Sequence, residues 1–375
     1  MGKCNVSQCG NKSEQIADDA GDHPVSIGMD VHKKSVHVAV CIDGQITSTF
    51  VIGGGEGPCG TQAVISSLES LKSENHRIVY EAGPTGYELA RRLQQEGFNA
   101  WVIAPGKTPR EANQGNKSDQ MDAADLAYYL DKDMLTKVSI PTRQEEADRQ
   151  VTRLREQLQQ KLSCVKNQIK GFLLQHNIAE PEGLSRWSNK AVKELSDIEL
   201  SEELQFSLNM LLEELKAMKQ RLRKVNKKIR EMSRSDRYRE KARIAQTHPG
   251  VGEITSMTFL TEIFRPGRFD VPGSVSKYSG LAPHVRETGG NRIEGGRLPG
   301  GRKGLRRLLV QAAWVWIRHD PWAREKYKHL LSNTGESNKA IVAMALRMVV
   351  NLWCMVTRGE EYIQGGTRQK KAEAQ

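Results

Sequence analysis

The chain has 375 residues and carries 56 Lys and Arg against 45 Asp and Glu, a net charge of +11. That length predicts two or three domains, and that charge predicts a polyanionic partner, nucleic acid before anionic membrane. Hydrophobic content of 38% and charged content of 27% are ordinary for a globular protein. No apolar run is expected to reach the roughly 20 residues of a membrane span; the best, Leu308 to Ile317, is short and holds Gln311.

The first residues, 1–23, are polar and of mixed charge, without the apolar segment of a signal peptide, and read as a disordered tail. Six scattered cysteines (Cys4, Cys9, Cys41, Cys59, Cys164, Cys354) form no recurring CxxC pair, which suits a reduced cytoplasm. From Pro24 the pattern predicts three strands. Val25–Val31 is an apolar run. In Ser35–Cys41, Val36, Val38 and Val40 alternate with other residues, and the turn at Asp43-Gly44 leads to Ile46–Ile52. Helical spacing over 63–71, a short strand at Arg77–Tyr80, a helix over 87–95 and a strand over 98–103 follow. A polar loop, 105–117, leads into a helix that starts at Asp119. Three antiparallel strands followed by alternating helix and strand is the order of an α/β, RNase H-like domain, here residues 24–140.

Four acids stand out in that domain. Asp119 and Asp122, three apart on a helix, face the same way. Acids also suit a solvated helix start, so the pair alone decides little. Asp30 lies inside an apolar strand and Glu81 ends another. An unpaired carboxylate on a desolvated central strand costs several kcal/mol or neutralises itself, and a divalent cation removes that penalty. Convergence of Asp30, Glu81, Asp119 and Asp122 on one Mg²⁺ site for phosphodiester chemistry is therefore expected.

Pro141 closes the domain and Thr142-x-x-Glu145 forms a capping box. Apolar residues then recur in steps of four and three, mostly alternating from Ala147 to Phe172 and strictly alternating from Leu204 to Met232. The spacing predicts a helical coiled-coil region over 141–243, paired within the chain or between chains. A mostly α-helical third domain, 244–362, opens on His248-Pro249-Gly250-Val251-Gly252, a turn like that of a helix-hairpin-helix, whose N–H groups can hold phosphate. Its basic, glycine-rich segment holds Arg286, Arg292, Arg297, Arg302, Lys303, Arg306 and Arg307 against Glu287 and Glu294. Such a loop cannot form a core but can follow a phosphate backbone. Amphipathic helices follow it, over 305–316 and 339–356, and residues 363–375 read as a second disordered tail.

Three blocks now coincide: Gly28-Met29-Asp30-Val31-His32-Lys33, Tyr80-Glu81-Ala82-Gly83-Pro84-Thr85-Gly86-Tyr87, and Asn116-Lys117-Ser118-Asp119-Gln120-Met121-Asp122-Ala123. They resemble the DEDD transposases, insertion-sequence recombinases with a RuvC-like N-terminal domain. His248–Gly252 and Ser279-Gly280-Leu281-Ala282-Pro283 through Arg307 resemble that family's C-terminal transposase domain. The resemblance implies a bridge RNA that pairs with donor and target DNA, Mg²⁺ on Asp30, Glu81, Asp119 and Asp122, and covalent attack on DNA by a hydroxyl. It also implies a dimer or tetramer, with the coiled coil joining subunits and active sites built from two of them. The family's nucleophilic serine stands just before a glycine; here that position is Thr288, in Arg286-Glu287-Thr288-Gly289-Gly290. Three readings stay open: Thr288 attacks, a neighbour such as Ser279 replaces it, or strand transfer is impaired. Two rival functions share some of these features. A RuvC-like junction nuclease would use the same acids with water, and a non-enzymatic RNA-binding scaffold would need only the basic loop and the long helices.

Overall fold

The computed structural model describes residues 21, 23–53, 60–71, 75–104, 119–288, 291–297 and 300–364, with side chains excepted at 70 and 284–299. Two units divide the chain, Met1–Pro141 and Thr142–Gln375. In the first, alternation of β-branched residues builds strands β1 (Val25–Val31), β2 (Ser35–Ile42) and β3 (Gln45–Gly53), paired antiparallel in sequence. Helix α1 (Thr61–Leu68), strand β4 (Arg77–Glu81), helix α2 (Glu88–Gln95) and strand β5 (Ala100–Ile103) follow. The sheet order is β3-β2-β1-β4-β5, with β4 parallel to β1 and β5 parallel to β4. The first strand is thus central, as an RNase H-like arrangement requires.

Side-chain parity sorts the sheet into two faces. Ile27, Met29, Val36, Val38, Ile78 and Tyr80 pack with Val64, Leu68, Leu89 and Leu93 of α1 and α2. The opposite face, with Ala39, Cys41 and Val79, receives helix α3 (Asp119–Asp131) through Ala123, Ala127, Leu126 and Leu130. Gly28 makes that close seating possible: a Cβ there would lie 2.2 Å from the Ala123 carbonyl oxygen and 2.4 Å from the Ala127 nitrogen. Ser26, at the start of β1, donates to Asp131 at the far end of α3. The helix therefore runs against β1, and its first turn meets the end of that strand. The polar loop over 105–117 lies outside the described residues.

The second unit begins with the expected capping box. Thr142 Oγ1 accepts from the Glu145 N–H at 3.1 Å, and the Glu145 carboxylate accepts from the Thr142 N–H at 2.8 Å. Helices α4 (Arg143–Gln175) and α6 (Glu202–Ser233) pair within the chain, Leu158, Leu162, Val165 and Ile169 packing on Leu211, Leu215, Met218 and Leu222. The connection between them, expected to be irregular, contains α5 (Asn189–Ser196), whose Ala191 and Leu195 join the same core.

Helices α7 (Arg239–Gln246), α8 (Glu253–Ile263) and α9 (Pro272–Ser279) follow. The basic segment, expected to be a loop, is a two-stranded ribbon, β6 (Pro283–Thr288) with β7 (Asn291–Arg297), antiparallel. Helices α10 (Lys303–His319), α11 (Pro321–Thr334) and α12 (Ser337–Arg358) complete the unit. One sequence expectation is corrected here: α12 is long and apolar enough to cross a membrane by length and composition. Its Ile341, Met344, Met348, Val349 and Leu352 are fully buried against Leu305, Leu309 and Trp316 of α10, so its apolar side is consumed by the core. Gly250 lies in the same packing, where a Cβ would come within 2.3 Å of the Ala312 carbonyl oxygen. This close approach accounts for that glycine without a phosphate.

Candidate active site

Asp30 is the last but one residue of β1 and pairs across the sheet with His37 of β2. Both fall on the α3 face by parity, and a three-residue connection, with the His32 N–H donating to the Ser35 carbonyl at 2.9 Å, fixes that register. At the start of α3, Asp119 comes to the same place. His32 Nε2 lies 3.0 Å from Asp30 Oδ2 and 3.2 Å from Asp119 Oδ2, and His37 Nε2 lies 3.7 Å from the same Asp119 oxygen. The rings of His32 and His37 meet edge to face at 6.1 Å. His37 Nδ1 is buried without a hydrogen bond among the described residues.

Asp30, His32 and Asp119 offer ligand atoms all within 4.8 Å of one another. Two carboxylates and an imidazole held this way form a donor set fitted to a divalent cation. Glu81 and Asp122 are not members of that group. Glu81 ends β4, and the parallel register that pairs Met29 with Tyr80 carries it to the level of Asp30 on the α3 face. Asp122 lies one turn along α3 from Asp119. Sequence reasoning missed the two histidines. His37 was within reach: the valines on either side of it face the core, so it must face the acids.

In the second unit, Ser279 is fully buried and its Oγ donates to the Ser276 carbonyl at 2.9 Å. Thr288 closes β6, opposite Asn291. The side chains of Thr288, Arg286, Arg292 and Arg297 lie outside those described. Arg302, at the foot of the ribbon, is engaged twice: its Nε donates to Glu262 at 2.7 Å and its Nη2 to Glu156 at 2.9 Å. Glu262, only 1% exposed, also takes a two-point contact from Arg153 at 2.9 and 3.0 Å. Burial pushes the Glu262 carboxyl upward, but the bonds and charges of Arg153 and Arg302 outweigh it and hold that carboxyl below its usual range. Arg307 approaches Glu156 at 3.7 Å, Arg306 donates to the Gly280 carbonyl at 3.3 Å, and Lys303 is exposed.

Two family models match the chain. A DEDD transposase model of the IS110 type covers residues 27–178, and one described as the transposase IS116/IS110/IS902 family covers 242–328. The transposase for insertion sequence element IS1533 of Leptospira borgpetersenii is 31% identical over 254 residues, 65% of this chain and 72% of its own. The y4qE protein of Sinorhizobium fredii is 28% identical over 338 residues, 89% of this chain and 83% of its own. The transposase for IS1111A of Coxiella burnetii is 23% identical over 304 residues, 80% and 82% of the two chains. The four acids fall within the first matched segment and the basic ribbon within the second, and the chain belongs to the IS110-type DEDD transposases, enzymes that recombine DNA.

Proposed function

We propose that this transposase cuts and rejoins DNA at a Mg²⁺ centre held by Asp30, Glu81, Asp119 and Asp122, with the Thr288 hydroxyl as nucleophile and a bridge RNA selecting donor and target. The observation that carries the reading is the meeting of Asp30 and Asp119, 89 residues apart in sequence, at the joint end of β1 and α3. Bound Mg²⁺ would supply charge stabilisation to the scissile phosphate and its leaving oxygen. Thr288 Oγ would attack phosphorus, forming a Thr–phosphate ester while the bond to one DNA oxygen breaks and that oxygen leaves as a protonated hydroxyl. The ester conserves the energy of the broken bond for rejoining, so no nucleotide triphosphate is needed. The burial of Ser279 favours Thr288 over it.

Arg286, Arg292, Arg297, Lys303, Arg306 and Arg307 would follow phosphates of DNA or guide RNA, whereas Arg302 would hold the ribbon's base between Glu262 and Glu156. Exposed Leu174, Phe206 and Met210 on the paired long helices are apolar surface that a second copy would cover in a dimer or tetramer. Among the described residues Cys41, Cys164 and Cys354 form no disulfide, and we infer a cytoplasmic setting.

Asp119→Ala should abolish strand cleavage in a supercoiled-plasmid assay while leaving nucleic-acid binding largely intact; a variant that still cuts would end the metal-site assignment. The rival junction nuclease shares the acids but attacks with water. Denaturing gels separate the two, because a protein–DNA adduct that disappears in Thr288→Ala occurs only in the covalent mechanism.

A further inference from the structure

The carboxylate centre contains nitrogen. We propose that His32 is itself a ligand of the cation held by Asp30 and Asp119, so that this mixed imidazole–carboxylate position binds Mn²⁺ more tightly than Mg²⁺. The inference rests on the proposed metal-dependent function of the same site and deepens it.

Geometry comes first. Metal–ligand bonds of about 2.1 Å set neighbouring donors of an octahedron about 3.0 Å apart. His32 Nε2 stands 3.0 Å from Asp30 Oδ2 and 3.2 Å from Asp119 Oδ2, spacings that suit three donors on one ion. The His32 ring approaches both acids through the same nitrogen, as a ligand must, and its backbone is fixed by the hydrogen bond to Ser35. The ring is 46% exposed, so the position is open to ions from solvent.

Chemistry then sets the preference. Mg²⁺ favours oxygen donors and keeps its water, whereas imidazole suits transition ions. Exchanging a water for His32 Nε2 gains little on Mg²⁺ and more on Mn²⁺, which accepts carboxylate and imidazole together. His37, whose Nε2 lies 3.7 Å from the same Asp119 oxygen, sits where it would orient that carboxylate.

The test is binding of Mn²⁺ and Mg²⁺ to the full chain without nucleic acid, Mn²⁺ by electron paramagnetic resonance and Mg²⁺ by competition against it. His32→Ala should weaken Mn²⁺ at least tenfold, the scale on which ligand shells lose affinity, and Mg²⁺ by less than about threefold. His32→Asp, which makes every donor oxygen, should narrow the Mn²⁺ preference of the wild type. Circular dichroism melting checks that each variant folds. If His32→Ala binds Mn²⁺ as the wild type does while Asp119→Asn loses it, the carboxylate centre stands and nitrogen ligation is overturned. Equal loss of both ions in His32→Ala also overturns it, leaving His32 as a group that holds the acids in place. If Asp119→Asn binds both ions as well as the wild type, the metal centre itself falls, and the inference with it.

Discussion

His248 shows how one side chain can make a whole unit sensitive to acid. It is 1% exposed, wedged against Trp316 and Tyr362, and its Nδ1–H donates to the Pro249 carbonyl at 3.0 Å. Burial is the main cause of its depressed pKa, about 4, partly countered by the Pro249 carbonyl and the charge of Asp320. In the unfolded chain the ring takes its proton near its ordinary 6.5. Between those two values the unfolded state binds the extra proton, so stability falls as pH drops through that window, by about 3 kcal/mol in all. Urea midpoints followed by tryptophan fluorescence from pH 7 to 4 should show this loss, and His248→Gln should flatten the slope. The chemistry-bearing residues differ in how plainly they announce themselves. An acid inside an apolar strand is conspicuous, which is why Asp30 can be read from sequence. His32 and His37 carry no such mark, because a histidine's neighbours in space decide whether it is a ligand, and those neighbours lie on another strand and a distant helix.

Among the elements, α3 depends on one residue of β1. With its Cβ position occupied by the backbone of Ala123 and Ala127, Gly28→Ala must push the helix off the sheet. Overpacking of this kind costs about 1–3 kcal/mol, and here it also draws Asp119 away from Asp30. Thermal denaturation and Mn²⁺ affinity should fall together in that variant, whereas Asp119→Asn should lose the ion without the stability. Strands β1 to β5 and the capped start of α4 were legible because periodicity and end signals act over a few residues. The ribbon β6–β7 was not: glycine and arginine mask its alternation. Helices α7, α8 and α11 were missed for a related reason, since their short runs take their order from the shared core. The strict apolar seam of α6 left its partner open; Leu211 to Leu222 pack on α4 of the same chain, whereas Ile229 and Met232 join the core built by α8 and the later helices.

At the scale of the molecule, a net charge of +11 makes ionic strength the main control on binding to nucleic acid. Each phosphate neutralised contributes about 0.9 to the slope of log affinity against log salt. Replacing Arg286, Arg292 and Arg297 together by alanine should therefore lower that slope by about 2 to 3, measured by fluorescence anisotropy over a salt series. Arg302→Ala should behave differently, leaving the slope nearly unchanged but costing stability, because it strips one partner from the buried Glu262, which keeps its two-point contact with Arg153; losing such a charge-assisted hydrogen bond costs about 1.5–3 kcal/mol. A basic residue's place in the sequence does not distinguish these two duties. What does is a carboxylate 40 positions upstream.

The ribbon's two ends are fastened together. The Arg302 N–H donates to the Tyr278 carbonyl at 2.9 Å, and Gly301 lies so near Gly280 that a Cβ on it would come within 2.4 Å of the Gly280 Cα. The clasp thus sets the exit and the return of the ribbon side by side, so the frame closes on itself before the ribbon leaves it.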